Sequence, residues 1–349
     1  MSYELVRKQL LAKVRERIQK DQARLDWTRQ EIEIFQQQQY KKLLNHALHN
    51  STYYRDRCKN AKKLSDIKPS TKNEMMEKWD DIICIPGLKK EFAENHLTQL
   101  RNNEIDNPFY KDYYYITATG GSSGLRGLFV WDLDFFSVAG YAAYRYQFRD
   151  EQKNPIKGKK KIAVLTAPTL VHASTPLFSI TLDDESQAVH ISVEKNIDII
   201  CKELNKLEPT HLIGYSSVIT ELAEHAVSGS LKISPQRVST NSEPLEINSR
   251  SLVREAWGIE INNMWGSVEM GIAGVEDDRH SGLFISDDLI IIESVDNDLQ
   301  PVKNPADAQK LLITNLFNFT FPLIRYVVDD AVNIQPSDHS GFRIAKDID

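Results

Sequence analysis

Cysteine is scarce. Cys58, Cys84 and Cys201 are the only three in 349 residues, and no two form a CxxC pair. That spacing offers neither a disulfide framework nor a structural zinc site, and it fits a reducing compartment such as the cytoplasm. No apolar run approaches the length of a membrane span. The amino terminus, MSYELVRKQLLAKVRERIQKDQ, alternates charge with leucine and lacks the apolar stretch of a secretory signal. A basic excess is missing too. The formal net charge of -6 argues against nucleic acid as a bulk partner. The lysine-rich run Lys157 to Lys161, KGKKK, leads directly into IAVLT and reads as a solvated loop. His46 and His49 have helical spacing, but no nearby carboxylate or cysteine completes a metal set.

What is present is an ordinary globular composition, 41% hydrophobic and 26% charged, with enough chain for one large domain or two. From Tyr3 to His49, apolar residues recur at helical spacing and predict two or three amphipathic helices, with Gln36 to Gln39 on a coiled or solvent-facing stretch. In SDIKPSTKNEMMEKW, Ser65, Ser70 and Thr71 are candidate helix starts, and Glu74 three residues after Thr71 makes a capping-box pattern. DLDFFSVAGYAAYRYQF reads as a helix. Strand-like KIAVLTAP, THLIGYS, QRVSTNS and IEINNMW then alternate with helix-like VEKNIDIICKELNKL, SVITELAEHAV and LEINSRSLVREAW. This alternation predicts an α/β fold with parallel sheet covered by helices. Beyond Gly274 the pattern changes to strands and turns. The expected organisation is a helical amino-terminal region (1–110) packed on the body, an α/β core (111–274), and a small β-rich subdomain (275–349).

YYYITATGGSSGLRGLFVWD, Tyr113 to Asp132, concentrates glycine and serine between two β-like runs. Such a loop places backbone N–H groups and hydroxyls where they can cradle an anion; its plain alternative is a polar hairpin turn. The P-loop pattern is excluded because Gly120 to Gly127 contains no lysine. The dinucleotide fingerprint is excluded because Gly120 and Gly121 are adjacent. In open α/β sheets ligands bind beyond the carboxyl ends of the strands. There the sequence places WGSVEMG (Trp265 to Gly271), NSEPL after the strand ending at Thr240, and Asp329 and Asp330 after LIRYVV.

Taken in order, TGGSSGLRG (Thr119 to Gly127), WGSVE and PLIRYVVDD resemble the motifs of the adenylate-forming ligases, in particular the phenylacetate–CoA ligase-like branch. LLNHALHNSTYYRDR, LSDIKPSTKNEM and HLIGYSSVITELAEHA extend the resemblance over essentially the whole chain. It implies an enzyme that uses ATP and Mg²⁺ to activate an organic carboxylic acid as acyl-AMP. The acyl group would then pass to the thiol of CoA or of a phosphopantetheine carrier protein. A non-catalytic nucleotide-binding relative and acyl transfer to a protein are the alternatives.

By the same resemblance, Thr119, Gly120, Gly121, Ser122, Ser123 and Gly124 would hold phosphates, Glu269 would ligate Mg²⁺, and Asp330 would bind the ribose. Ser242, Glu243, Pro244, Asn263, Met264 and Trp265 would line the adenine, and Gly266 and Ser267 would belong to the same nucleotide site. His172, Tyr215, the segment Phe135 to Tyr144, and Met270 to Ala273 with Gly271 are candidate acid-pocket positions. The chain departs from the pattern in three places. The usual Pro-Lys ending of the loop is Arg126-Gly127, leaving Arg126 as the candidate catalytic cation. Val268 replaces a hydroxyl residue before the glutamate. Tyr326 to Asp329 lacks a basic residue. GFRIAKDID resembles the stretch preceding the family's hinge, so a lid domain is expected to follow in a longer protein or to come from another chain.

Overall fold

The amino-terminal periodicity folds as two long helices, α1 (Tyr3–Asp21) and α2 (Arg29–Asn50). They belong to a computed structural model that describes residues 2–119, 126–179, 186–276, 282–304, 307–330, 332–338 and 340–346. Val6, Leu10, Val14 and Ile18, four apart, put one stripe of α1 into the core. Thr28 caps α2 in a reciprocal box with Glu31. The glutamine run is not all solvent-facing: Gln36 and Gln39 are buried, and the Gln36 amide donates to the carbonyls of Asp287 (2.7 Å) and Ile290 (3.1 Å). Burial is tolerated because both amide hydrogens find acceptors. Four shorter helices follow: α3 (Thr52–Arg57), α4 (Lys72–Glu77), α5 (Trp79–Ile82) and α6 (Lys90–Arg101). Thr71 caps α4 by accepting from the Glu74 N–H, while the Glu74 carboxylate turns to Arg57.

A small antiparallel sheet comes next, β1 (Phe109–Tyr110), β2 (Tyr114–Ala118) and β3 (Leu128–Asp132), with Ala118 opposite Leu128 where the glycine/serine segment leaves and returns. Asp132 then caps α7 (Leu133–Lys153) through the Phe135 N–H at 2.7 Å.

The α/β part runs β4 (Lys161–Thr166), α8 (Ser174–Phe178), β5 (Gln187–Ser192), α9 (Ile197–Leu207), β6 (His211–Tyr215), α10 (Ser216–Val227), β7 (Arg237–Asn241), α11 (Ile247–Trp257) and β8 (Ile261–Ser267). The strands β5-β4-β6-β7-β8 are parallel. Alternate residues of β4 serve opposite faces. Ile162 and Val164 join the larger core with α7, while Ala163 and Leu165 join a second core with α9, α10 and α11. Burial on both faces is what a parallel sheet requires. The edge strand β5 has no counterpart among the sequence-predicted strands, because its exposed and half-buried residues carry little apolar signal.

The same sheet continues antiparallel through β9 (Gly271–Val275), β10 (Leu283–Ile285), β15 (Arg343–Lys346) and β14 (Asn333–Pro336). It therefore crosses residue 274. A separate antiparallel sheet joins β11 (Ile290–Val295), β12 (Lys310–Asn315) and β13 (Tyr326–Val328). Among the described residues, no helix is long and apolar enough to cross a membrane.

The amino-terminal region is tied into this body by buried charge. Arg29 reaches the enclosed Asp287 at 2.9 Å, and Arg24 lies 3.7 Å from the enclosed Asp288. Within the body, Arg145 pairs with Asp288 at 2.8 Å with both side chains fully enclosed, and Asp287 also receives Arg343 at 2.6 Å. Tyr54 reaches the other side, donating its hydroxyl to the carbonyl of Pro322 at 2.8 Å.

Candidate functional site

Because β4, β6, β7 and β8 are parallel, their carboxyl ends, Thr166, Tyr215, Asn241 and Ser267, share one edge of the sheet. Ligands of open α/β sheets bind beyond such an edge. The candidate residues collect there. Ser242, Glu243 and Pro244 form the exposed loop after β7. Ser242 has φ of 66°, unusual for a residue with a side chain, and its hydroxyl donates to Asn241 at 2.8 Å. The Glu243 carboxylate accepts from the Ser217 N–H at 2.9 Å, holding this loop to the start of α10.

On β8 the period of two separates neighbours. Met264 turns into the core, while Asn263 and Trp265 are half-buried on the other face. Thr240 donates to the Asn263 side chain at 3.2 Å. A bulge at Trp265/Gly266 redirects the chain between Gly266 and Ser267 and the returning β9. Gly266 is required there, since a Cβ would lie 2.4 Å from the Gly271 carbonyl oxygen. Gly271, at φ 72°, makes the turn into β9, facing Phe135 and Ala139 of α7.

Two polar clusters result. In the first, the Trp265 indole N–H donates to Asp330 at 3.2 Å, whereas Asp329 points into solvent with Lys310 3.6 Å away. In the second, Glu269 is buried, and the Tyr326 hydroxyl donates to it at 3.4 Å. Burial, then the nearby Glu269 charge, pushes the Tyr326 hydroxyl well above its ordinary pKa, so it stays protonated and a donor. Lys72 from the amino end of α4 completes this cluster. Its Nζ is 3.8 Å from Glu269 Oε1 and donates to Thr119 Oγ1 at 3.0 Å. Thr119 itself is fixed by exchange with Gly127: its N–H donates to the Gly127 carbonyl at 3.0 Å, and its hydroxyl accepts from the Gly127 N–H at 2.9 Å.

Gly120, Gly121, Ser122, Ser123 and Gly124 lie outside the described residues. Arg126 is exposed, and the charges acting on it are Arg101 and Glu94 of α6; burial and the Arg101 charge lower its pKa. Among the described residues, the cation beside Glu269 and Thr119 is Lys72. His172 approaches the Ala118 carbonyl through Nδ1 at 3.3 Å, beside the stem of the glycine/serine segment. The Tyr215 hydroxyl accepts from the Ala167 N–H at 3.3 Å at the end of β4.

Sequence reasoning missed Lys72 because only its local capping signal was legible; nothing in its spacing points to residue 119 or 269. Tyr326 stood inside a quoted motif without a role. Arg325 of the same motif turns away from the sheet edge. It is buried at φ 52°, with Nε on Glu293 at 3.0 Å and Nη1 on the carbonyls of Ile67 (2.7 Å) and Ser65 (3.2 Å). The Ser70 N–H donates to the Arg325 carbonyl at 3.0 Å, and the Ser70 carbonyl accepts from Val327 N–H at 2.9 Å, so residue 70 extends β13 in parallel. That bridge carries Lys72 to the site.

The donor set suits a metal only in a particular way. Among the described residues no group of three His, Cys, Asp or Glu side chains is arranged to hold an ion. Glu269 offers a single buried carboxylate. This matches Mg²⁺ that arrives with phosphates and retains much of its own shell, not a resident ion in a protein cage.

No family model matches the chain. Protein CapK of Staphylococcus aureus is 22% identical over 311 residues, covering 86% of this chain and 62% of CapK, so the chain spans less than two thirds of that relative. A 2-hydroxyisobutyryl-CoA ligase in an open conformation with 2-HIB-AMP and CoA superposes with a TM-score of 0.68 at 15% identity, covering 92% of this chain and 70% of the ligase. The same ligase with 2-HIB-AMP and CoA in its thioesterification state gives 0.62 at 15% identity, over 99% and 67% of the two chains. The chain has the fold of this adenylate-forming ligase.

Proposed function

We propose that the protein activates an organic carboxylic acid with ATP, forming acyl-AMP and releasing pyrophosphate. The acyl group would then pass to a thiol of CoA or of a carrier protein. The observation that carries the reading is the gathering of two polar clusters near the β8 end, Thr119, Glu269, Tyr326 and Lys72 in one and Trp265 and Asp330 in the other. Each group has a use in that chemistry. Attack of a carboxylate on the α-phosphorus brings two anions together, so positive charge and fixed donors are needed where charge builds up. Glu269 would hold the Mg²⁺ that accompanies the nucleotide, and this ion would screen the phosphate charge. Tyr326 keeps the Glu269 carboxylate oriented. Asp330, held by the indole, presents carboxylate oxygen to the ribose hydroxyls, and Asn263 with the Ser242–Pro244 loop borders the adenine. A lid domain closing over this edge would exclude water.

The test is ATP–pyrophosphate exchange with Mg²⁺ across a panel of aromatic, fatty, hydroxy and amino acids. Acid-dependent exchange with at least one of them is expected. Glu269→Gln should lower it by on the order of 10²–10³ while leaving the fold intact. Nucleotide binding with no exchange for any acid, with or without an added lid domain, would instead favour a nucleotide-binding module.

A further inference from the structure

The glycine/serine segment carries no lysine, and the charges acting on Arg126 at its end are those of Arg101 and Glu94 of α6. A cation nevertheless stands at the stem of that segment. We propose that Lys72, delivered from the amino-terminal region, supplies the positive charge for the β- and γ-phosphates of the bound nucleotide in place of the lysine the segment lacks. The inference rests on the adenylation reading above and assigns a phosphate-binding residue to the same site.

Three observations carry it. The first is position. Nζ sits between Thr119 Oγ1 at 3.0 Å and Glu269 Oε1 at 3.8 Å, hence between the last residue before the glycine/serine run and the carboxylate assigned to the nucleotide's metal. The second is room. The Lys72 stem passes over Gly127, where a Cβ would come within 2.8 Å of Lys72 Cε, so the glycine leaves a path for the side chain. The third is tethering. Thr71 caps α4, and Ser70 is bonded into β13 on both its N–H and its carbonyl, so the residue bearing the lysine is fixed relative to Tyr326 and Glu269.

The side chain remains 25% exposed, and a lysine stem has several rotatable bonds. The ammonium can therefore leave the long contact with Glu269 when a metal-bearing triphosphate arrives, keep Thr119 as a pivot, and turn to the phosphate oxygens. In the absence of nucleotide the same charge balances the buried Glu269. A cation over the β- and γ-phosphates distinguishes ATP from AMP, whereas a purely structural counter-charge to Glu269 does not.

The experiment titrates the 349-residue chain calorimetrically with ATP and, separately, AMP, both in excess Mg²⁺. The proteins are the wild type, Lys72→Met, Lys72→Arg and Arg126→Met, each checked by thermal unfolding. Lys72→Met is expected to weaken ATP binding at least about tenfold, the usual scale for losing one charged hydrogen bond, while AMP binding stays near the wild-type value. Lys72→Arg should recover part of the ATP affinity, and Arg126→Met should cost less than Lys72→Met. Wild-type-like ATP binding by Lys72→Met, or parallel loss of ATP and AMP in a folded variant, would overturn the assignment and leave the adenylation reading standing. A wild type that binds neither nucleotide would remove both.

Discussion

At the scale of single residues, the contact between Trp265 and Asp330 divides the work of one side chain. In the proposed site the ring would border the adenine, while the N–H holds a carboxylate that is otherwise exposed. Trp265→Phe should keep most of the ring surface but release Asp330, giving a modest loss of ATP affinity. Asp330→Ala should cost about 1.5–3 kcal/mol in binding. Asp329→Ala should cost much less, because that carboxylate is 90% exposed, 3.6 Å from Lys310. Calorimetric titration of the three variants checks the order, and equal losses at both aspartates would refute the placement. The motifs around Asp330 and Glu269 were legible in sequence because each occupies a strand end with distinctive neighbours. Lys72 was not, because its relation to Thr119 exists only after β13 and the segment before α4 have met.

At the scale of elements, the decisive unit is the short stretch from Ser65 to Lys72 laid against β13. Arg325 holds it by two carbonyls and Ser70 by two backbone bonds, with Arg325 in a backbone conformation that would relax without them. Arg325→Met should therefore destabilise the fold by about 3 kcal/mol, the scale for removing one partner of a buried ion pair, as measured by urea unfolding. If the stretch also positions Lys72, the variant should lose ATP affinity at temperatures where it remains folded. The alternation of β4, β6, β7 and β8 with their helices could be read from hydrophobic period alone. The pairing of residue 70 with residue 326 could not, since a one-residue bridge leaves no periodic trace. The lysine-rich run shows a similar limit. Lys157 and Lys159 are exposed, but Lys160 pairs with Glu151 at 2.6 Å, and Lys161 donates to the Leu207 carbonyl at 2.8 Å.

At the scale of the whole molecule, the sheet separates the candidate site from a buried cluster of charge. Opposite the candidate site, the amino ends of β4, β6 and β7 gather Glu151, Lys160, His211 and Arg237. Burial acts against the Glu151 charge, but donors from His211, Lys160 and Gln147 outweigh it and hold the carboxyl at about 2. Its folded pKa thus lies below the ordinary 4.5. The stabilisation is fully present above that ordinary value and is lost as pH falls toward 2. Glu151→Gln should be less stable than the wild type by roughly 2–3 kcal/mol near neutral pH. The gap should close on acidification, as followed by urea unfolding at a series of pH values. A gap independent of pH would show that the charge is not what stabilises this end.

The bridge at Ser70 also bears on how the molecule comes into being. The bond from Arg325 to Ile67 spans 258 residues, and that from Tyr54 to Pro322 spans 268. While the chain is being synthesised, α3 and the segment before α4 wait without these partners until residues 322 to 325 have emerged, and closing so long a loop costs entropy. The helices and parallel strands can assemble from nearer neighbours, but the lysine reaches Thr119 and Glu269 only with this long-range pairing. Contacts of high sequence separation slow folding, so competence for nucleotide should arrive after the bulk of the secondary structure, as a late event in the life of each chain.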